Sequence, residues 1–333
     1  MSFWSDIFAK RQAAPADPAD APVARRRLPA TLRRVALVIL SVGLLGFAFA
    51  SVDLGAAARA AVSVGAGHIL LAIAFLVINL VLSSLRFRSV LAGAGHELPV
   101  SAALQINIAS QIGSLFVVQL VGHIASRAIL LKPYGVVPSR VAALAIYEKV
   151  YSLGVCLIFL FAGLGYLFGF GAWERIEALF GGISPLGMIA LILLAALACY
   201  WLFPVLVRLR LITQVGRGQQ VSDMLTALAL TLGTQACMVA AYVTVCSGLR
   251  PDVPPLAIAA ATSVVMYLAA MPITSGGWGI REVSSIHLLG LIGFDAASAL
   301  AASVLTGLLG LVVLGLVAAG VGLAATFHAR RQP

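Results

Sequence analysis

The chain has 333 residues, of which 61% are apolar and only 10% are charged, and its formal net charge is +10. Soluble domains are about half apolar and a quarter charged, so this composition excludes an ordinary water-soluble enzyme, and the apolar excess excludes a disordered chain. Lys and Arg lie between the apolar stretches rather than on one soluble face, which indicates membrane orientation signals and argues against nucleic-acid binding. The composition therefore predicts an all-α, polytopic membrane protein.

The N-terminal segment is polar and basic. Residues 1–34 are rich in Ala, Pro and Arg and cannot bury a core, which predicts a disordered, basic cytoplasmic tail. A short cytoplasmic tail is also expected at 328–333, and residues 35–327 form the predicted transmembrane domain. Ala48-Phe49-Ala50 resembles a signal-peptidase site, but the long polar head and the later spans favour an uncleaved first span.

Eight apolar stretches follow one another along the predicted transmembrane domain. Six predict full transmembrane helices: five read as simple spans near the ~20 residues that a bilayer requires, and 141–170 is longer. They occupy about 35–52, 68–90, 141–170, 185–207, 224–248 and 297–327. The other two do not fit a simple lipid-facing helix, because 101–126 carries many Gln, Asn and Ser residues and 256–293 is interrupted by Pro272 and a run of glycines.

The distribution of Lys and Arg indicates how the two irregular stretches are placed. If both are re-entrant helical hairpins and the N-terminus is cytoplasmic, 17 basic residues lie on the cytoplasmic side and 3 lie outside. If these stretches cross the membrane, the counts become 11 and 9. Because cytoplasmic loops carry the excess of Lys and Arg, we predict two re-entrant hairpins and cytoplasmic N- and C-termini in a bacterial-type inner membrane. Polar residues at that depth imply a cavity that satisfies them.

The order of the elements indicates an internal duplication. A span, a hairpin and a second span occur twice, beginning near residues 68, 101 and 141 and again near 224, 256 and 297. Under the predicted topology the two sets have opposite orientations. This arrangement is typical of transporters with inverted repeats, whose broken helices meet at a binding site in the middle of the membrane.

Ionisable residues cluster around the end of the first predicted hairpin. Arg127 and Lys132 follow its polar part, and Glu148 and Lys149 lie early in the next span. Ionisable groups within spans usually face a bundle interior or a cavity, and the planar Arg guanidinium suits a phosphate group, so these four are predicted substrate-binding residues. Alternatively, Arg127 and Lys132 only set the topology, and Glu148 forms a salt bridge with Lys149 or Arg127 that ties helices together.

The break in the second predicted hairpin has the composition of an anion-binding turn. Pro272 ends a helix, and the glycines after it allow a backbone turn with positive φ. The N–H groups at the start of the next half-helix, together with Arg281, suit a phosphate. The predicted substrate-binding residues here are Thr274, Ser275, Gly276, Gly277, Gly279, Arg281 and Glu282. The alternative is a tight turn in which Arg281 and Glu282 pair with each other or with a neighbouring helix.

Motifs for catalysis, cofactors and metals are not visible in the sequence. It contains no Ser–His–Asp set, acidic pair or Walker sequence, and its five His residues have no metal-ligand spacing. We therefore expect no catalytic residue, no metal and no cofactor. His123 is a candidate for the lining of the cavity.

Together the two clusters resemble the transmembrane, flippase-like domain of the lysylphosphatidylglycerol synthase family over about residues 35–327. The resemblance rests on Gly122, Arg127, Gly135, Ser139, Glu148, Lys149, Pro272, Gly276, Gly277, Gly279, Arg281 and Glu282. Larger members carry a soluble aminoacyl-transfer domain after this one, which we do not expect here because the chain ends at Pro333. The resemblance implies a domain that translocates or binds lipids, and relatives of this size are linked to hopanoid, polyisoprenoid and lipid-linked sugar pathways.

Three functional hypotheses follow, and membrane lipids are the expected partners in each. The first is a lipid translocator, in which Arg127 and Arg281 hold the phosphate of an anionic or head-group-modified lipid. Glu148 and Glu282 then neutralise these cations or recognise a cationic head group. The second is an enzyme that modifies a lipid or polyprenyl phosphate, with Glu148 or Glu282 as general base. The third is an accessory subunit that presents lipid to a separate lipid-modifying synthase.

Overall fold

The computed structural model describes residues 42–116, 119–169, 221–271 and 277–329. These residues form α-helices joined by turns, and no strand occurs among them. Several predictions concern residues outside the described part of the chain: the tail at 1–34, the span at 185–207, the residues Pro272, Thr274, Ser275 and Gly276, and residues 330–333.

Ten helices can be assigned in the described ranges. They are α1 (Val42–Ala50), α2 (Leu54–Ser63), α3 (Ala66–Gly93), α4 (Val100–Phe116), α5 (Gln119–Leu131), α6 (Pro138–Gly169), α7 (Val221–Leu249), α8 (Pro255–Ala270), α9 (Ile280–Leu291) and α10 (Ala296–Ala329). A short 3-10 turn, Lys132–Tyr134, follows α5.

Four of these helices, α3, α6, α7 and α10, are long and apolar enough to cross a membrane. They coincide with the stretches predicted at 68–90, 141–170, 224–248 and 297–327, and they confirm an all-helical, multi-pass membrane protein. Large apolar side chains such as Leu70 remain exposed on them, as expected of a surface that faces acyl chains.

The first predicted span, 35–52, is described from residue 42 onward and is followed by a sharp bend. The described part of it, α1, meets α2 at an angle of 90°. Asp53 starts the new helix, because its carboxylate accepts hydrogen bonds from the backbone N–H groups of Gly55 and Ala56 at 2.8 and 3.1 Å. Taken together, α1 and α2 make at most a fifth, broken span.

Each of the two irregular stretches is a pair of short helices. α4 and α5 occupy the first, and α8 and α9 occupy the second, where the two helices also pack against each other. In the first pair, Gly113 lies against Gly122 and Ser126, so α4 and α5 are antiparallel. A Cβ on Gly122 would lie 2.6 Å from the Gly113 carbonyl oxygen and 2.8 Å from Ser114 Cα. This backbone contact therefore requires glycine.

The two ends of each hairpin lie side by side. Before α4, His96 Nε2 lies 2.8 Å from Nη1 of Arg140, which follows α5. Before α8, Arg250 Nη1 donates to the carbonyl oxygen of Gly293, which follows α9, at 2.7 Å. Arg250 also donates two hydrogen bonds to Asp252, which lower the pKa of that carboxyl to about 2. In each hairpin a residue before the first helix therefore lies beside a residue that follows the second helix.

The two hairpins begin at opposite ends of the α3–α7 pair. These long helices are antiparallel, because a Cβ on Gly248 would contact His68 and a Cβ on Gly233 would contact Leu82. Asn79 Nδ2 donates to the Thr234 carbonyl oxygen at 2.7 Å between these contacts. The first hairpin follows α3 and the second follows α7, so their ends lie at opposite ends of this pair.

The α8–α9 hairpin is packed closely against its neighbours. Gly163 of α6 allows contact with α8, because a Cβ there would lie 2.5 Å from the Ala260 carbonyl oxygen. Tyr242 of α7 is completely buried, and its hydroxyl lies 2.6 Å from Ser285 Oγ of α9. Each helix of this hairpin therefore packs against a long helix: α8 contacts α6, and α9 contacts α7.

Candidate functional site

A cavity of about 350 Å³ lies between the two hairpins. Gln111, Ser114 and His123 line it from the first hairpin, and Trp278 and Arg281 line it from the second. Most of the remaining lining is apolar and includes Leu76, Leu80, Leu115, Met238, Leu311 and Leu314. A few polar groups within an extended apolar lining suit an amphipathic ligand.

Arg281 is the cation that lines this cavity. Its Nε and Nη2 donate to Oε1 of Glu282 at 3.0 and 2.7 Å, and Nε also donates to Ser303 Oγ at 3.2 Å. The guanidinium lies over the Trp278 ring, with Cζ 4.6 Å from the ring centroid. No hydrogen bond joins Nη1 to another residue in the described ranges. Its N–H groups can therefore bind an anionic oxygen without breaking one of these contacts.

A glycine turn and a buried carboxylate place Arg281 at the start of α9. Gly277 and Gly279 have φ angles of 79° and 88°, which side chains with a Cβ rarely adopt. Glu282 is completely buried, and its Oε2 accepts the Gly279 N–H at 2.6 Å. Its other oxygen, Oε1, accepts from Arg281 and, at 3.1 Å, from Ser303. One carboxylate oxygen of Glu282 thus fixes the turn, and the other fixes the Arg281 guanidinium.

Arg127 and Glu148 form a buried ion pair between the first hairpin and α6. Arg127 Nη1 lies 2.6 Å from Glu148 Oε2, and the exposed fractions of the two residues are 3% and 7%. Arg127 Nη2 donates to Oδ1 of Asn107 at 3.2 Å, and its Cζ lies 4.1 Å from the centroid of the Phe87 ring. Asn107 is held in turn by hydrogen bonds to two serines of α3. The pair is therefore built into the core.

Lys149, the next residue on α6, contacts the second hairpin instead. Its Nζ donates to the Ala270 carbonyl oxygen, the last of α8, at 3.0 Å. The last carbonyl groups of a helix lack partners within the helix, and a cation there also interacts favourably with the helix dipole. Glu148 thus binds the first hairpin through Arg127, and Lys149 binds the second hairpin through Ala270.

The sequence of the chain also matches a known protein family. The sequence profile of the Lysylphosphatidylglycerol synthase TM region matches residues 34–318, nearly the whole chain. The chain belongs to this family. The match confirms the resemblance that the two clusters show in the sequence. A search of curated proteins gives no match.

In this member of the lysylphosphatidylglycerol synthase transmembrane family, the predicted site residues occupy several environments. Arg281 lines the cavity, whereas Glu282, Arg127 and Glu148 are buried beside the elements that form it. Lys132 is exposed in the turn after α5. The other predicted site residues are Lys149 on α6, whose Nζ contacts the end of α8, Gly277 and Gly279 in the described turn, and Thr274, Ser275 and Gly276, which lie outside the described residues.

The structure adds residues to the cavity that the sequence analysis did not single out. Asn79 is one of them, and the signal was a lone amide within the apolar stretch of α3. Gly307 is another, because a Cβ there would lie 2.9 Å from Cζ and Nη1 of Arg281. No signal identified Gly307, since α10 is rich in small residues throughout.

In the part of the chain that the structure describes, no group of three or more His, Cys, Asp or Glu residues could hold a metal ion. The cysteines within those ranges, Cys156, Cys237 and Cys246, are free thiols.

Proposed function

We propose that this transmembrane domain translocates an anionic or head-group-modified lipid between the leaflets of a membrane. The head group enters the cavity between the two hairpins, and its phosphate binds Arg281. The observation that supports this proposal is the position of Arg281, which lines a cavity whose other walls are largely apolar. The lipid remains chemically unchanged in this scheme.

The cavity lowers the barrier that a head group meets in the bilayer. A charged group at the centre of a helix in the membrane costs about 2.5–3.5 kcal/mol on insertion scales. Arg281 offers charge-assisted hydrogen bonds, and Gln111 and Ser114 offer neutral ones on the opposite hairpin. These groups replace part of the hydration that the head group loses.

The acyl chains of the lipid can stay outside the protein. Leu115 of α4 and Leu311 of α10 both line the cavity, and their exposed fractions are 48% and 38%. The cavity therefore extends to apolar residues on the outer surface of the bundle. A lipid can place its head group inside while its chains leave between α4 and α10.

The geometry of the hairpins supports re-entry from opposite leaflets. The ends of each hairpin are adjacent, and the two pairs of ends lie at opposite ends of the antiparallel α3–α7 pair. This is the arrangement that an inverted repeat produces. The charge asymmetry of the sequence favours cytoplasmic termini in an inner membrane. Arg127 is buried and does not count as a loop charge, but the asymmetry remains strong without it.

A reconstituted exchange assay tests the proposal. Vesicles of phosphatidylglycerol and phosphatidylethanolamine receive the purified protein and labelled phosphatidylglycerol, and the label accessible in the outer leaflet is followed with a membrane-impermeant quencher. We expect exchange about tenfold or more faster than in protein-free vesicles. Ser114→Phe places an aromatic ring in the cavity and should slow exchange by about fivefold or more.

Ser101→Phe is the matched control, because Ser101 lies on the same helix, is exposed and does not line the cavity. It should leave the exchange rate unchanged. Exchange no faster than in empty vesicles would contradict the proposal. Retention of lipid by the purified protein without any exchange would favour the lipid-presenting hypothesis instead.

Gly307→Ala should slow exchange although it adds only one methyl group. That methyl would occupy the place of the Arg281 guanidinium, which would have to move away from α10. We expect a reduction of about threefold or more in the exchange rate, since one displaced contact of this kind is worth about 1 kcal/mol. Gly315→Ala on the same helix meets open space and should have no effect. Equal rates for the two variants would show that the position of Arg281 is unimportant.

A further inference from the structure

Four buried side-chain atoms have no hydrogen-bond partner within the described ranges. They are Arg86 Nε, Arg127 Nε, Gln235 Nε2 and Glu148 Oε1. Buried polar groups in folded proteins are nearly always paired, so each exception requires an explanation. Three of these atoms are donors and one is an acceptor.

The four atoms belong to one region between α3, α5, α6 and α7. Arg86 lies close enough to Arg127 and Glu148 to interact with both electrostatically. Gln235 is linked to the same region through Cys156, whose thiol donates to Gln235 Oε1 at 3.4 Å and which interacts electrostatically with Arg86. Four separate helices thus contribute one unpaired atom each.

The charge in this region is predominantly positive. Arg86, Arg127 and Lys149 interact with one carboxylate, that of Glu148, or with one another. Arg127 Nη1 already satisfies Oε2 of Glu148, so the free donors point to a further acceptor. An oxyanion supplies several acceptor oxygens and balances the excess charge. Oε1 of Glu148 lacks a donor, which an O–H or N–H group on the same ligand can supply.

We propose that these atoms form a second binding site, for a phosphate ester that also carries a hydroxyl or ammonium donor. Phosphate oxygens accept from Arg86 Nε, Arg127 Nε and Gln235 Nε2, and the donor of the head group binds Glu148 Oε1. Phosphoglycerol and phosphoethanolamine head groups have this chemistry. Phosphocholine lacks an O–H or N–H group and leaves the Glu148 oxygen unpaired.

The assignment of this ligand to a lipid head group rests on the proposed function. None of the four residues lines the cavity that contains Arg281. His123 does line it, and it also interacts electrostatically with Arg127 and Glu148. The second site therefore lies next to the cavity on the side of His123. A head group that leaves Arg281 reaches the second site by passing this imidazole.

The test measures binding rather than exchange, so its result does not depend on whether lipids move. The detergent-purified Arg281→Gln variant, which lacks the first cation, is titrated calorimetrically with dihexanoyl phosphatidylglycerol. We expect binding to persist in this variant and to weaken about threefold or more when Gln235→Leu is added. Dihexanoyl phosphatidylcholine should bind about threefold or more weakly than dihexanoyl phosphatidylglycerol.

Gln105→Leu on the same background is the matched control, because Gln105 is exposed on α4. It should leave the affinity unchanged. Gln235→Leu removes the buried unpaired N–H group together with the weak hydrogen bond from the Cys156 thiol, and it adds an apolar side chain of similar size, so the thermal unfolding temperature should change little. Equal affinities with and without Gln235→Leu, or equal binding of the two lipids, would overturn the second site and indicate that water occupies it. Glycerol 3-phosphate binding as tightly as the lipid would overturn the assignment to a lipid.

Discussion

The Arg281→Gln variant is expected to exchange phosphatidylglycerol about tenfold or more slowly than the wild-type protein in reconstituted vesicles. A hydrogen bond to a charged group contributes about 1.5–3 kcal/mol, which corresponds to a factor of ten or more in rate. Glutamine keeps an N–H donor for Glu282 Oε1, and Glu282 retains its bonds from Gly279 and Ser303. The turn before α9 should therefore persist while the positive charge is lost.

Two further variants separate the charge of Arg281 from its geometry. Arg281→Lys keeps the charge but not the planar fork that holds Glu282 and a phosphate together, so an intermediate rate is expected. Arg59→Gln removes an exposed arginine of α2 and should not change the rate. If Arg281→Gln exchanges lipid as fast as Arg59→Gln, the cavity cation has no part in translocation.

Arg127→Leu is expected to lower the free energy of unfolding by about 3–5 kcal/mol, because it leaves the Glu148 carboxylate buried without its cation. Denaturation of the purified protein in detergent measures this loss. The double variant Arg127→Leu/Glu148→Leu removes both charges and should recover at least half of it, since apolar replacement of a buried ion pair is often neutral or better.

The exposed pair Arg250–Asp252 offers a comparison for this prediction. Asp252→Asn alters a salt bridge of 2.7 Å on the surface, where solvent and salt screen the interaction. Its effect on unfolding should be small. A double variant at Arg127 and Glu148 that is no more stable than Arg127→Leu alone would show that the ion pair is not the reason for the loss.

The long helices and the helix breaks could be predicted because they follow from local rules. A bilayer requires ~20 apolar residues, and Pro and Gly end helices. These rules located α3, α6, α7 and α10 and the interruption after α8, whereas the first irregular stretch was recognised from its polar residues. The 90° bend between α1 and α2 was not predicted. Its local signal was Asp53, a residue type that commonly caps the start of a helix.

The partners of the charged residues could be predicted only in part. Pairing of Arg281 with Glu282 was one of the alternatives, because adjacent residues at a turn can meet without any knowledge of the fold. Glu148 had two alternative partners, and the choice of Arg127 depends on how α5 and α6 cross. Lys149 contacts Ala270, which lies 121 positions away in the chain, so no local pattern indicates it.

Neighbouring side chains of α6 connect this helix to both hairpins. Glu148 holds Arg127 of the first hairpin, and Lys149 holds the end of α8 in the second. A tilt of α6 would therefore move both hairpins together. If the chain translocates lipid as we propose, the two ends of the cavity would then change together rather than independently, because the hairpins begin at opposite ends of the α3–α7 pair.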